Sequence, residues 1–531
     1  MTNDLIIETG PGEAIAADLE SGKAMADDLI VETAYGAVGG ERGDGVLIWR
    51  GIPYAGSTAG EQRFKIPKAA ESWKGVRDAA AFGPACPQDI RNKGRAEVGL
   101  MSEDCLSLNI WSPAADRQKR AVLFYIHGGS FAEGAGGDPE YEGTSLVRAG
   151  DIVLVTVNYR LGALGFVDFS FLGEGLLPNT GLWDIIAALN WVNENIGAFG
   201  GDPDNVTICG QSAGATCACI LPGIDEAEGL FKRAIMMSAV PTLLHTKEQA
   251  RYVAQSFLKF MDIPDAETLM TMPARELTAR QNEFTQHSGF GTTAFAPCVD
   301  GEFVKRYPTC LAADGGMRGI PMLLGTTREE MTFALYRSLA HLVDIQNMRR
   351  LAMETERLET KERIDKAYQI YGKRGPGIMF SDFAFRLPCV WLAEAQSRFA
   401  DTWMYRFDYE TLGMRVSGLH AFHSCDVPFL FGNFKAGLAR FMFLLSPEKT
   451  WIRKLQDEFR GDFLAFMKTG KLPWRPCKGE DGPAKCYTHP SFVEQAVPKD
   501  ILKAYEDSEF KKSSFTDEGM AIPLNDSSMQ C

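Results

Sequence analysis

The chain has 12 cysteines, yet none forms a Cys-x-x-Cys pair. Cys217 with Cys219, and Cys477 with Cys486, come closest, and neither has histidines at zinc spacing. A structural zinc site is therefore excluded as a working idea, and no metal is expected. Long apolar runs are also missing. The longest, such as Ile152–Val157, have the length of a buried strand and fall far short of a bilayer span. Positive charge is in deficit, with 55 Lys and Arg against 69 Asp and Glu and a net charge of −14. A chain this acidic is a poor partner for nucleic acid or an anionic membrane. The first residues, Met1-Thr2-Asn3-Asp4-Leu5, lack the basic and apolar regions of a secretory signal, so a cytoplasmic location is the expectation. Histidine is scarce too, with 7 in 531 residues, which narrows the search for a general base.

What is present is an ordinary globular composition, 45% hydrophobic and 23% charged. Residues 1–33 read as an appendage rich in Ala, Asp, Glu and Gly. Within it Asp4–Thr9 nearly recurs as Asp28–Thr33. Residues 34–531 read as a single catalytic domain. Ala121–Ile126 and Ile152–Asn158 are continuous apolar runs suited to central parallel strands. Val206–Cys209, Pro321–Gly325 and Trp403–Phe407 are further strand candidates. Asp184–Ile196 carries Ile185, Leu189, Val192 and Ile196 on one helical stripe. Strands alternating with helices predict an α/β fold, a mostly parallel twisted sheet flanked by helices. Segments 243–290 and 335–395 read as helical insertions over the C-terminal edge of the sheet, where open α/β sheets place their sites.

Gly210-Gln211-Ser212-Ala213-Gly214 is the sharpest local signal. It fits Gly-x-Ser-x-Gly, follows the strand candidate ending at Cys209, and precedes a helix-compatible run that stops at Pro222. Such a turn lifts the central serine onto its tip, and the glycines relieve crowding. A serine hydroxyl is a weak nucleophile. It needs a base, an acid to orient the base, and N–H donors for the oxyanion. His127-Gly128-Gly129-Ser130-Phe131 follows the strand 121–126, and the N–H groups of Gly128, Gly129 and Ala213 would form a three-donor oxyanion hole. The usual chain order, nucleophile then acid then histidine, favours the late histidines. His420 and His423 share one loop, and spacing does not choose between them. Glu329 and Glu330 follow the strand 321–325, and adjacent side chains cannot both point inward.

These residues together resemble the type-B carboxylesterase family over about residues 34–490. The resemblance rests on Trp49-Arg50-Gly51-Ile52-Pro53-Tyr54-Ala55, on Ser102–Pro113, on Val157-Asn158-Tyr159-Arg160-Leu161-Gly162 and on Phe199–Val206. It implies the α/β-hydrolase fold and hydrolysis of small carboxylic esters through an acyl-enzyme, with no cofactor. It also implies Glu330 as the acid and His423, three residues before Asp426, as the base. Ser238 falls on a position that supports the triad from behind, although Ala239 stands where the family usually has Gly. Ser130, Phe131, Gln211, Gly291 and Thr293 are the implied substrate-pocket positions. Gly291 and Thr293 stand where cholinesterases carry aromatics, which predicts a roomier acyl pocket. Residues 87–104 hold no Trp, Tyr or Phe, so the cation–π platform for choline is missing. Secreted relatives close a disulfide at the positions of Cys86 and Cys105; here the bond is expected to be absent or to form only on oxidation. Two other readings fit the same sequence. One is hydrolysis of, or acyl transfer from, a specialised natural-product or xenobiotic ester. The other is a non-catalytic binding relative, which the complete set of three triad residues disfavours.

Overall fold

Central strands form where an apolar run can be covered on both faces, and the chain supplies such runs in sequence. In the computed structural model they build a sheet of 11 strands. The structure describes residues 27–89, 99–287, 291–332, 353, 355–437, 439–444, 446–479 and 482–516. In chain order the strands are β1 (Glu41–Arg42), β2 (Leu47–Pro53), β3 (Ser107–Ser112), β4 (Arg120–Ile126), β5 (Val153–Val157) and β6 (Gly201–Gln211). They continue with β7 (Arg233–Met237), β8 (Met322–Thr327), β9 (Thr402–Phe407), β10 (Pro483–Tyr487) and β11 (Phe492–Gln495). Their spatial order is β11-β10-β9-β8-β7-β6-β4-β5-β3-β2-β1. The pairs from β5 through β4 to β10 are all parallel. Antiparallel strands close both ends.

The period of two residues divides the core into two layers. Along β4, Val122, Phe124 and Ile126 enter one apolar cluster, while Leu123 and Tyr125 enter the other. Helix α1 (Thr180–Asn195) covers the first face with Leu182 and with Ile185, Leu189 and Val192 of the stripe read from the sequence, which Ile196 continues just past its end. Helix α2 (Ala213–Ile220) packs on the same face, and Ala213, Ala215, Cys217 and Cys219 belong to the same cluster. Helix α3 (Lys449–Thr469) covers the opposite face with Ile452, Leu455, Phe459, Phe463 and Phe466. Burial at both faces explains why these strands read as continuous apolar runs.

Two boundaries move. Strand β6 begins at Gly201, well before the apolar residues that announce it. Backbone pairing of Gly201 with Arg120 extends it through a polar stretch that hydrophobicity does not mark. The folded chain also reaches further back than residue 34. Ile30–Thr33 pairs antiparallel with Gly36–Gly39, and Val31 is buried. Residues 1–26, with the first copy of the near-repeat, lie outside the described residues, as do His341 and residues 335–352.

The two predicted insertions are helical where described. Lys247–Phe260, Ala266–Thr271, Ala274–Thr278 and Gln281–His287 occupy the first. Leu358–Tyr368, Gly375–Ser381, a π-helical turn at Asp382–Arg386 and Leu387–Gln396 occupy the second. Cys86 and Cys105 are buried free thiols, and Cys86 Sγ accepts from the Leu161 N–H at 3.2 Å.

Candidate active site

Ser212 stands between the last residue of β6 and the first of α2, at φ 57° and ψ −123°. A non-glycine residue holds such a conformation only where its surroundings impose it. The Ser212 N–H donates to the Met237 carbonyl at 2.9 Å, and its own carbonyl accepts from the Thr216 N–H at 2.9 Å. The flanking glycines have no substitute. A Cβ on Gly210 would lie 2.2 Å from the Gly214 backbone, and one on Gly214 would lie 2.1 Å from the Ile126 carbonyl oxygen. The strand, turn and helix approach so closely that the sharp elbow is the one path open to the chain.

The other pieces arrive on loops after neighbouring strands. Gly128 and Gly129 follow β4, and a Cβ on Gly128 would come within 3.1 Å of Ser212 Cβ. Among the described residues the N–H groups of Gly128, Gly129 and Ala213 donate to no protein acceptor. Ser238 follows β7 at φ 54°. Glu330 follows β8 and His423 lies in the loop after β9. In the spatial order β9, β8, β7, β6, β4, each strand therefore delivers one piece: His423, Glu330, Ser238, Ser212, Gly128.

Glu330 is completely buried, and its carboxylate is saturated with donors. Oε1 accepts from the Thr327 N–H at 2.7 Å and from the Ser238 hydroxyl at 2.8 Å. Oε2 lies 2.7 Å from His423 Nδ1. The His423 N–H in turn donates to the Glu330 carbonyl at 2.9 Å, which ties the two loops together. The spacing that left two histidines open is resolved by partners. His420 Nδ1 faces Glu410 Oε2 at 3.3 Å, away from Glu330. Glu329 turns the other way from Glu330 and pairs with Arg374.

Gln211 meets His423 directly, with its Nε2 3.1 Å from His423 Nε2. Ser212 Oγ has no hydrogen-bond partner among the described residues. Phe131 is buried and packs on Phe166 at a ring separation of 4.9 Å, within the core. Ser130, its neighbour, shares the left-handed backbone at φ 54°. Gly291 is exposed with open space around its Cα, while Thr293 is buried in the same short turn.

Several residues escaped the sequence reading. The Phe385 ring lies 5.0 Å from the His423 ring. Arg386 donates to the carbonyls of Thr327 and Arg328 at 2.8 and 2.6 Å, and is itself paired with buried Asp382. Ser381 Oγ accepts from the Met331 N–H at 3.1 Å. The second insertion thus holds the loop that presents Glu330. A lone Arg inside the apolar run Phe383–Leu387 was the available signal. Asp426 is fully buried, and its Oδ2 accepts from Tyr405 Oη at 2.8 Å. Burial raises its carboxyl to about 6; the Tyr405 hydrogen bond opposes this and the Glu330 charge adds to it.

A mostly parallel sheet covered by helices on both faces, with a serine elbow at its C-terminal edge, defines an α/β-hydrolase. Comparison with known proteins narrows the class. A model of the carboxylesterase family matches residues 27–483. The para-nitrobenzyl esterase of Bacillus subtilis (strain 168) is 38% identical over 450 residues, covering 83% of this chain and 90% of that protein. The phenmedipham hydrolase of Pseudarthrobacter oxydans is 31% identical over 479 residues, covering 86% of this chain and 94% of that protein. A solved carboxylesterase of Geobacillus stearothermophilus superposes with a TM-score of 0.78 at 35% identity, over 92% of this chain and 100% of its own. The chain belongs to the carboxylesterase family, and it is a serine hydrolase of carboxylic esters. No described helix is long and apolar enough to cross a membrane.

Proposed function

We propose that Ser212, His423 and Glu330 form the catalytic triad of this esterase. The observation that carries the reading is the 2.7 Å contact between Glu330 Oε2 and His423 Nδ1, made beside a serine held at a strained elbow. Glu330 fixes the proton on Nδ1, leaving the Nε2 lone pair to act as base. Ser212 Oγ attacks the ester carbonyl while Nε2 takes its proton. The N–H groups of Gly128, Gly129 and Ala213 receive the oxyanion. His423 then returns the proton to the leaving alcohol and activates water to release the acid. Ser238 holds Glu330 from behind. The substrates are small-molecule esters, and the chain's acidity argues against nucleic acid as a partner.

Replacing Ser212 with Ala should abolish p-nitrophenyl ester turnover and fluorophosphonate labelling while circular dichroism stays unchanged. Full activity in that variant would defeat the assignment. A second reading keeps the site and changes the substrate to a specialised xenobiotic ester, since a 31% identical relative is a phenmedipham hydrolase. A panel of esters graded in acyl length and alcohol bulk separates the two readings.

A further inference from the structure

We propose that Gln211 is a positioning residue that holds His423 in its base tautomer and occupies Nε2 until substrate brings Ser212 to it. This inference rests on the triad reading above. Gln211 is the last residue of β6, and its backbone is paired with Met237. Its side chain therefore follows the alternation of the strand. Cys209, two residues earlier, enters the apolar cluster that also holds Ala421, Phe422 and Cys425 of the histidine loop. The amide accordingly reaches His423. Gln211 is 4% exposed, so the amide is fixed in place. Its Nε2 stands 3.1 Å from His423 Nε2, and a Cβ on Gly128 would lie 2.8 Å from its Oε1. One amide thus spans the base and the first glycine of the oxyanion loop.

The chemistry follows from donors and acceptors. With Nδ1–H donated to Glu330, the neutral ring offers a lone pair at Nε2. An amide N–H donates to that lone pair and favours the neutral ring. Once Ser212 has passed its proton to Nε2, the ring becomes a donor there. The amide must then rotate to present Oε1 or withdraw. A carboxylate at this position could only accept and would favour the imidazolium. Two carboxyl groups already act on the ring, Glu330 on Nδ1 and Asp426 at the start of the next helix. The Glu410–His420 and Glu329–Arg374 pairs are joined through Arg374 and Glu410, and Arg386 stands behind the Glu330 loop. Against these charges, Gln211 presents an uncharged donor to the ring.

The test compares Gln211→Glu and Gln211→Met with the parent enzyme. The readouts are the acid limb of kcat/KM for a p-nitrophenyl ester and the pH dependence of fluorophosphonate labelling. A carboxylate within hydrogen-bond reach should raise the midpoint by about one unit. Losing the neutral donor should raise it by about half a unit. Histidine nitrogen NMR, with the His423 signal assigned through His423→Asn, reads the same midpoint without turnover. Midpoints within about 0.2 unit of the parent in Gln211→Met would reduce Gln211 to packing and overturn the proposal. If Gln211→Glu does not fold, Gln211→Met decides alone. An active Ser212→Ala would instead defeat the triad reading itself, so the two failures are distinct.

Discussion

Replacing Glu330 with Gln tests the geometry of the acid most sharply, because the structure specifies where each new atom goes. Oε1 already accepts twice, from the Thr327 N–H and the Ser238 hydroxyl. A glutamine keeps both bonds if its carbonyl oxygen takes that position. Its NH2 group then falls where Oε2 was, 2.7 Å from His423 Nδ1. Two donors cannot face each other, so the imidazole must carry its proton on Nε2 and accept at Nδ1. The base then presents a proton to Ser212 in place of a lone pair. The carboxylate that stabilised the imidazolium is also gone. Loss of the correct tautomer in a triad lowers kcat by about 10⁴-fold, or about 5.5 kcal/mol of transition-state stabilisation. Stability should change little, by about 1 kcal/mol or less, since the bonds around residue 330 are kept in altered polarity and the Gln211 amide need only turn its oxygen toward Nε2. The assay is steady-state hydrolysis of p-nitrophenyl acetate beside a urea titration of the same preparation. Activity within tenfold of the parent would refute the reasoning. So would a large loss of stability, because the rate effect would then reflect a damaged fold.

Two further outcomes follow from buried charges. Asp426 has a folded-state value of about 6 against 3.8 for a free carboxyl, so the folded state binds the extra proton between those limits. Stability therefore falls as pH rises from about 4 to 6, by about 3 kcal/mol at linkage of 1.36 kcal/mol per unit. Asp426→Asn should gain most of that at pH 7.5 and nothing at pH 4, measured by urea midpoints; an equal change at both would exclude the linkage. Arg386→Met leaves Asp382 buried with Tyr368 as its remaining named partner, which should cost about 3–5 kcal/mol, and adding Asp382→Asn should recover a large part. A double variant no more stable than the single one would show that the pair is not the source.

The central strands were readable because burial on both faces leaves an unbroken apolar run, as in Ala121–Ile126. The elbow was readable because its glycines are sterically obligatory. The start of β6 was hidden, since Gly201 is held by backbone pairing with Arg120 that carries no side-chain signature. The short strand Ile30–Thr33 was absorbed into the appendage because Ile30 and Val31 alone are too few apolar residues to set a period. His420 and His423 were indistinguishable by spacing because one loop carries both, and only their carboxylate partners separate them. Gln211 and Phe385 reach His423 across long sequence distances, and neither residue type announces such a role. Arg386 was visible as a charge in an apolar run, but what it holds was not.

The row His423, Glu330, Ser238, Ser212, Gly128 runs along one edge of the sheet at the spacing of its strands. Four strand intervals of about 4.8 Å place the whole apparatus within about 19 Å. Ser212, Ser238 and Gly128 directly follow their strands and are located by the hydrogen bonding between them, while His423, farther along its loop, is tied back through the Glu330 carbonyl, and the chain between two pieces can change length. The crossover from β8 to β9, which carries the second helical insertion, can be rebuilt while the sheet keeps the reacting atoms in register, provided that its few anchors such as Arg386 survive. Selection for a new ester can act on that crossover almost as on a separate module, with chemistry inherited intact.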